Sequence, residues 1–251
     1  SLVELTTVGI FVLTLFAVLG LVLVFMERKV SAYMQIRLGP NRVGYKGMAQ
    51  TLADTIKLLV KEGLTPDGAD KFLFNLAPFI VMIGAMLLMA PIPFAKNSQI
   101  WDLNIGVLYI TAVSSISVIG ILMAGWSSNN KYSLLGAMRS GAQIVSYELS
   151  AGLAIISIVI LTGSLKISDI IASQETGWWL FKGHIPALIS FVIFIIAVTA
   201  ETNRAPFDMA EAESELTAGF HTEYSGMKFA LFFLADYVNI FIVCAIGATL
   251  F

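Results

Sequence analysis

Carboxylates cluster in one short stretch of an otherwise apolar chain, ETNRAPFDMAEAESEL, residues 201–216. The stretch holds one cation and five acidic residues, which are Glu201, Asp208, Glu211, Glu213 and Glu215. Asp208, Glu211 and Glu215 stand at positions i, i+3 and i+7, which places them on one face of a short helix. Like charges at such spacing raise the pKa of at least one carboxyl group. The stretch is therefore either a solvated acidic loop, as most charge runs are, or the lining of a polar cavity that handles protons.

Two further acidic residues stand alone inside apolar runs. Glu148 follows Arg139 by nine residues, and Asp236 follows Lys228 by eight. At about 1.5 Å per helical residue, each carboxylate lies roughly 12 to 14 Å into a membrane. A carboxylate at such depth costs about 2.5 to 3.5 kcal/mol to insert, so it rarely faces lipid. The simplest arrangement is a wet, proton-conducting chain from the acid-rich stretch inward. The alternative is a neutral acid that is hydrogen-bonded between helices.

Long hydrophobic runs must position these carboxylates. Of the 251 residues, 57% are hydrophobic and 13% are charged, whereas about 25% are charged in a soluble domain. Runs of roughly 18 or more uncharged residues are long enough to cross a bilayer. We therefore predict an all-α fold, a polytopic transmembrane helical bundle that forms a single integral membrane domain over residues 1–251. Helices are predicted near residues 2–25, 72–93, 104–126, 141–163, 185–200 and 229–251.

Basic residues indicate how this bundle is oriented. The loops after the first, third and fifth predicted helices, called side A, carry 12 of the 15 basic residues, and the other side carries 3. Basic loops stay on the cytoplasmic side of a membrane. Side A, which includes the acid-rich stretch, is therefore predicted to be cytoplasmic, and the N-terminus outside. Together with the lack of a targeting segment, this bias favours a bacterial inner (cytoplasmic) membrane.

The first loop of side A contains a helical pattern of its own, in GMAQTLADTIKLLVKE, residues 47–62. Met48, Leu52, Ile56 and Leu59 recur there at helical spacing, and the charged residues fall on another face. Such a pattern is typical of an amphipathic helix that lies at the membrane surface.

Few residues are available to hold a metal or a redox centre. The chain has one cysteine, Cys244, and two histidines, His184 and His221. A disulfide within the chain, an iron–sulfur cluster with four cysteine ligands and a zinc site of histidines and cysteines are therefore excluded. We predict no metal site, and no nucleic acid is expected as a partner.

Three segments carry a resemblance to a known family. They are ETNRAPFDMAEAESELTAGFHTEYSGMKFALFFLADY (201–237), ERKVSAYMQIRLGPNRVGYKGMAQTLADTIKLLVKEG (27–63) and GWSSNNKYSLLGAMRSGAQIVSYELS (125–150). Together they resemble the membrane subunit that adjoins the quinone site in proton-pumping NADH:quinone oxidoreductase, respiratory complex I. Members of that family have about eight membrane helices, so the resemblance implies that the last two are absent from these residues.

The resemblance implies a function without a redox centre in this chain. The subunit would form much of the chamber in which quinone, the substrate, is reduced, and would begin the carboxylate relay that couples this reduction to proton translocation. NADH, FMN and iron–sulfur clusters are expected on partner subunits, one of which holds the terminal cluster. Other membrane and peripheral subunits and the lipid bilayer are the expected partners.

The resemblance also implies roles for individual residues. The expected proton relay comprises Glu148, Glu201, Asp208, Glu211, Glu213, Glu215, Glu223 and Asp236, the last in place of a common Glu. The expected quinone chamber comprises Arg28, Arg37, Asp54, Lys57, Arg204 and Phe220, with Phe229 nearby.

Three other functions stay open at the level of sequence. One is the equivalent subunit of a membrane-bound hydrogenase or a related quinone-free complex, which shares the fold and some of the acids. Another is a stand-alone ion-coupled transporter, which predicts internal repeats or broken helix pairs that the sequence does not display. The third is a structural anchor for soluble subunits, which leaves Glu148 and Asp236 without a purpose.

Overall fold

The structure, a computed structural model, describes residues 2–95, 99–210 and 213–251. The regular elements of these residues are helices. In chain order the α-helices are α1 (Leu2–Met34), α2 (Gln50–Val60), α3 (Lys71–Leu88), α4 (Gly106–Ser127), α5 (Lys131–Thr162), α6 (Ile167–Ser173), α7 (Trp179–Lys182), α8 (His184–Glu201), α9 (Glu213–Leu216) and α10 (Gly226–Leu250). Short 3-10 helices cover Tyr45–Gly47 and Gly219–His221.

The predicted all-α, polytopic membrane fold is confirmed. In the described part of the chain, 5 helices are long and apolar enough to cross a membrane, namely α3, α4, α5, α8 and α10. The helix α1 corresponds to the first predicted span, and its role as a sixth span stays a prediction.

Two helices are longer than their hydropathy predicted. The helix α1 continues past residue 25 to Met34, because its charged residues can stay helical where the chain leaves the apolar layer. The helix α5 begins at Lys131 rather than near residue 141. There Asn130 caps its first turn by accepting a hydrogen bond from the Tyr132 N–H at 3.0 Å. Its end is set by Gly163, whose left-handed conformation (φ 73°) suits glycine.

Contacts divide the chain into two compact units. The first comprises Ser1–Leu64 and Tyr224–Phe241, and thus α1, α2 and the first part of α10. In it Arg28 of α1 forms an ion pair with Asp54 of α2. The predicted amphipathic helix is present as α2, and its apolar residues Leu52, Ile56 and Leu59 are exposed.

The second unit comprises Thr65–Glu223 and Ile242–Phe251. Here α3 packs on α4, and α5 packs on both α4 and α8. Small residues allow these helices to approach closely: a Cβ atom on Gly125 would lie 2.2 Å from the Cβ of Ala137. The connection between α5 and α8, for which no helix was predicted, contains the short helices α6 and α7. Lys166, the residue before α6, forms an ion pair with Asp102 at 2.7 Å.

Candidate functional site

The intramembrane carboxylate Glu148 is held by two hydroxyl groups from the neighbouring helix. Ser114 and Ser115 of α4 donate hydrogen bonds to Oε1 of Glu148 at 2.6 and 2.7 Å. The carboxylate is half-buried on α5. A carboxylate away from water needs donors of this kind, since burying a charge without hydrogen bonds is costly. The serines therefore make a polar pocket between two apolar helices.

A second carboxylate lies near this pocket. Glu201 is the last residue of α8, which packs against α5. It is half-buried, and it is close enough to Glu148 for the two carboxylates to interact electrostatically. The structure thus brings two acidic residues together where α5 meets α8.

The amide of Gln143 connects α5 to the chain that follows α8. Its Nε2 donates to the carbonyl oxygens of Ala200 and Phe207 at 2.7 and 2.8 Å, and to Oδ1 of Asn203 at 3.3 Å. One turn further along α5, the ring of Tyr147 packs against the ring of Phe207, with 5.4 Å between their centroids. These contacts fix the start of the acid-rich stretch against the face of α5 that carries Gln143 and Tyr147.

The later part of the acid-rich stretch has separate contacts. Asp208 is exposed, and its charge acts on His221, a residue of the second 3-10 helix. Burial lowers the pKa of His221 to about 4, against the opposing effect of Asp208. Glu215 forms an exposed ion pair with Arg139 at 2.7 Å. Glu223 accepts a hydrogen bond from Nδ2 of Asn130 at 2.6 Å.

Two predicted relay residues fall where the structure gives no side chain. Glu211 lies outside the described residues, and Glu213 begins α9 but its side chain is likewise outside the described part of the chain.

The first unit contains a polar cleft that is lined by two of the predicted quinone-chamber residues, Arg28 and Arg37. The cleft has a volume of about 450 Å³. It is lined chiefly by Glu27, Arg28, Arg37 and Tyr237, together with the Leu38–Pro40 segment. Its volume is within the range of small-molecule sites, and its arginine and tyrosine side chains can donate hydrogen bonds to a carbonyl oxygen.

An ion pair borders this cleft. Arg28 and Gln50 both donate hydrogen bonds to the carboxylate of Asp54, the latter at 3.2 Å. Partial burial raises the pKa of Asp54, but these hydrogen bonds and the charges of Arg28 and Lys57 outweigh it, so the pKa lies below its ordinary value. Asp54 is therefore a permanent anion that holds the Arg28 guanidinium at the edge of the cleft.

The remaining predicted residues are distributed between the units. Lys57 is exposed on α2, and Asp236 is half-buried on α10, both in the first unit. Arg204 is half-buried just after α8, in the second unit. Phe220, also there, is buried and packs edge-on against His221. Phe229 stacks on Phe233 within α10.

Sequence reasoning missed several residues of the site. It did not single out Ser114, Ser115, Gln143 or Tyr237. The two serines had a readable signal, because a lone intramembrane acid requires donors and they interrupt an uncharged apolar run. Gln143 and Tyr237 had no such signal, since their contacts depend on which faces of the helices meet.

Comparison with known proteins gives consistent matches over nearly the whole chain. A family model described as NADH dehydrogenase matches residues 6–251. The H subunit of NADH-quinone oxidoreductase from Bacteroides thetaiotaomicron is 56% identical over 249 residues, which is 99% of this chain and 70% of that protein. Subunit 8 of NADH-quinone oxidoreductase from Rhodothermus marinus is 53% identical over 92% of this chain and 68% of its own length. The H subunit from Bacillus cytotoxicus is 51% identical over 97% of this chain and 73% of its own length.

Proposed function

The chain belongs to the NADH dehydrogenase family, as a membrane subunit of NADH-quinone oxidoreductase, and we propose that it forms the quinone-binding chamber and the carboxylate relay of that enzyme. In this proposal the relay couples quinone reduction to proton translocation. The observation that carries it is the pair of carboxylates in the helical bundle, Glu148 with its two serine donors and Glu201 beside it.

The pair has the properties that a proton relay requires. Each carboxylate sits on a helix that is long and apolar enough to cross a membrane, where an acid is costly and is therefore usually functional. Ser114 and Ser115 can solvate Glu148 when it is charged, and each hydroxyl can also accept a hydrogen bond when Glu148 carries a proton. The two serines thus offer hydrogen-bonding groups to either form of the Glu148 carboxyl group.

The acid-rich segment provides the electrostatic link to the reaction. Reduction of a quinone to a quinol takes up two electrons and two protons, and protons drawn from acids near the site leave negative charge on those acids. Asp208, Glu211, Glu213 and Glu215 follow Glu201 directly in the chain, so a change of charge among them alters the field at Glu201 and then at Glu148. Glu223 and Asp236 are proposed as further members of this relay.

The polar cleft of the first unit is proposed as part of the quinone chamber. Arg28 and Arg37 offer donors to the quinone head group; Asp54 pairs with Arg28, and the charge of Lys57 helps to keep Asp54 ionised. The exposed apolar face of α2 suits the isoprenoid tail of a lipophilic substrate that arrives from the bilayer. Arg204 and Phe220 are proposed as chamber residues on the basis of the family resemblance.

Partner subunits supply the redox chemistry in this proposal. NADH, FMN and iron–sulfur clusters are placed on them, and the subunit with the terminal cluster lies next to the quinone chamber. The loops of side A face the cytoplasm of a bacterial inner membrane, and the N-terminus lies outside.

The test measures both reactions of the assembled complex in proteoliposomes. Glu148→Gln and Glu201→Gln are each compared with Glu175→Gln, which changes an exposed acid in the connection between α6 and α7. We expect both relay variants to lower the number of protons translocated per NADH oxidised, because an amide cannot hold a proton for transfer, while Glu175→Gln keeps the wild-type ratio. Relay variants that reduce quinone and pump with the wild-type ratio would refute the relay.

A further inference from the structure

A single buried amide fixes the end of α8 and the start of the acid-rich stretch. Gln143 is only 7% exposed, and its Nε2 contacts the carbonyl oxygens of Ala200 and Phe207 and Oδ1 of Asn203. Because three oxygen atoms surround this end of the side chain, only the amide nitrogen fits there. Ala200 immediately precedes Glu201, and Phe207 immediately precedes Asp208. The amide thus contacts the backbone beside both acids.

We infer that Gln143 is a positioning residue for the carboxylate relay, which holds Glu201 in register with Glu148. This inference rests on the proposed function. The geometry supports it because Gln143 and Glu148 lie on the same helix, α5, so the amide transfers the position of α5 directly to the residue before Glu201. Its bond to the Ala200 carbonyl adds to the one that this oxygen accepts from the Asn203 N–H at 3.2 Å, just after α8.

Burying the Gln143 amide costs folding free energy, so packing alone does not explain a glutamine at this position. Its Oε1 atom is buried and finds no hydrogen-bond partner among the residues that the structure describes. A buried carbonyl oxygen without a partner is destabilising, and an apolar side chain of similar volume would avoid that penalty. A glutamine suits this position because its Nε2 can donate these hydrogen bonds.

A matched tether exists on the same helix. Ser133, also buried on α5, donates a hydrogen bond to the carbonyl oxygen of Phe220 at 2.8 Å. It connects α5 to the second 3-10 helix, away from Glu201 in the chain. Removing this bond tests the effect of a lost buried tether without disturbing the residues beside Glu201.

The experiment compares Gln143→Met with Ser133→Ala in the assembled complex, reconstituted in proteoliposomes. Methionine has a similar volume but no donor. We expect Gln143→Met to lower the protons translocated per NADH oxidised by about threefold or more, as loss of a coupled contact does. Ser133→Ala is expected to keep the wild-type ratio. The quinone KM of Gln143→Met is expected to stay within about twofold of wild type, since substrate binding is not its role.

A double variant separates positioning from general structure. If Gln143 acts through Glu201, Gln143→Met causes no additional loss in a Glu201→Gln background. Additive losses, or an equal loss in Ser133→Ala, overturn the inference. If Gln143→Met does not assemble, Gln143→Leu lacks the same donors in a smaller side chain and is judged by the same criteria.

The outcomes also distinguish this inference from the proposed function. A wild-type ratio in Glu201→Gln overturns the relay and the role of Gln143 with it. A lowered ratio in Glu201→Gln beside a wild-type ratio in Gln143→Met overturns the role of Gln143 alone.

Discussion

At the scale of single residues, the site uses two kinds of partner for its acids. Asp54 is bound by a guanidinium and an amide, which stabilise its charge. Glu148 is bound by two serine hydroxyl groups, which donate to its carboxylate and can also accept a hydrogen bond. The first arrangement suits a fixed anion that orients an arginine, and the second suits a group that gains and loses a proton.

His221 allows a direct test of burial at the same scale. Its pKa of about 4 lies below its ordinary value of 6.5, so the unfolded segment binds a proton more readily than the folded one. The resulting stability is complete above pH about 6.5 and is lost as the pH falls toward 4, by about 1.4 kcal/mol per pH unit. We expect hydrogen exchange of the segment around the second 3-10 helix, corrected for intrinsic rates, to show easier opening at pH 5 than at pH 7.5.

The control for this prediction is His221→Gln, which removes the titrating group. Its segment should open with the same free energy at both pH values. A pH-independent opening in the wild-type protein would show that His221 is accessible enough to be protonated without disturbing the fold.

The sequence predicted the residues whose chemical type is unusual in an apolar helix. It did not predict the residues whose role depends on their contacts. Glu148 stood out because a lone carboxylate is rare and costly in an apolar helix, and Glu201 because it belongs to the acid-rich stretch. Gln143 did not, because a neutral amide in a helix gives no such signal. Its importance arises only from the rotation of α5 relative to α8, which sets the three oxygens around its Nε2. Helical periodicity shows which residues share a face of one helix. It does not show how two helices are rotated relative to each other.

At the scale of elements, α5 organises the second unit. It spans 32 residues, contacts α4 and α8, and carries the donors Ser133 and Gln143 as well as the acid Glu148. Its first turns approach the second 3-10 helix through Gly136. A Cβ atom at that position would lie 2.8 Å from Cα of Gly219 and 2.9 Å from the nitrogen of Phe220. Only a residue without a side chain permits this backbone contact.

Gly136→Ala is therefore predicted to destabilise the subunit. The added methyl group meets backbone atoms that cannot rotate away, and overpacking of this kind costs about 1–3 kcal/mol. Gly152→Ala on the same helix is the matched control, because nothing lies within 4 Å of its added Cβ atom. We expect Gly152→Ala to be neutral or stabilising by up to about 1 kcal/mol, as alanine is favoured over glycine within a helix. The measurement is the temperature at which half of the assembled complex is lost in detergent, and equal effects of the two substitutions would contradict the close contact.

The elements themselves were largely readable from hydropathy, and their ends were not. The five candidate spans correspond to predicted helices, because each contains a long and strongly apolar run. The early start of α5 was hidden, since Lys131 and Arg139 end the apolar run while the Asn130 cap and the Gly136 contact let the helix begin sooner. The short helices α6 and α7 were hidden as well, because seven and four residues are too few to display a period.

At the scale of the whole molecule, the distribution of charge predicts which side of the membrane each loop occupies. Side A carries 12 of 15 basic residues, so its loops are expected to remain in the cytoplasm. The chain has one cysteine, Cys244, so a Cys244→Ser background allows single new cysteines to be placed on either side. Suitable exposed positions are Arg42 in the loop between α1 and α2, on side A, and Glu175 in the connection between α6 and α7, on the opposite side.

A membrane-impermeant maleimide then reads the topology in native membranes. In right-side-out vesicles we expect Glu175→Cys to react and Arg42→Cys to stay unlabelled; in inverted vesicles the pattern should reverse, because the reagent reaches only the face turned outward. Both positions must react after solubilisation in detergent, which shows that neither is simply covered by a partner subunit. The opposite pattern would place the acid-rich stretch outside the cell. A relay that starts at Glu201 would then draw its protons from the external side. The full thickness of the membrane would separate that relay from quinone chemistry driven by NADH in the cytoplasm.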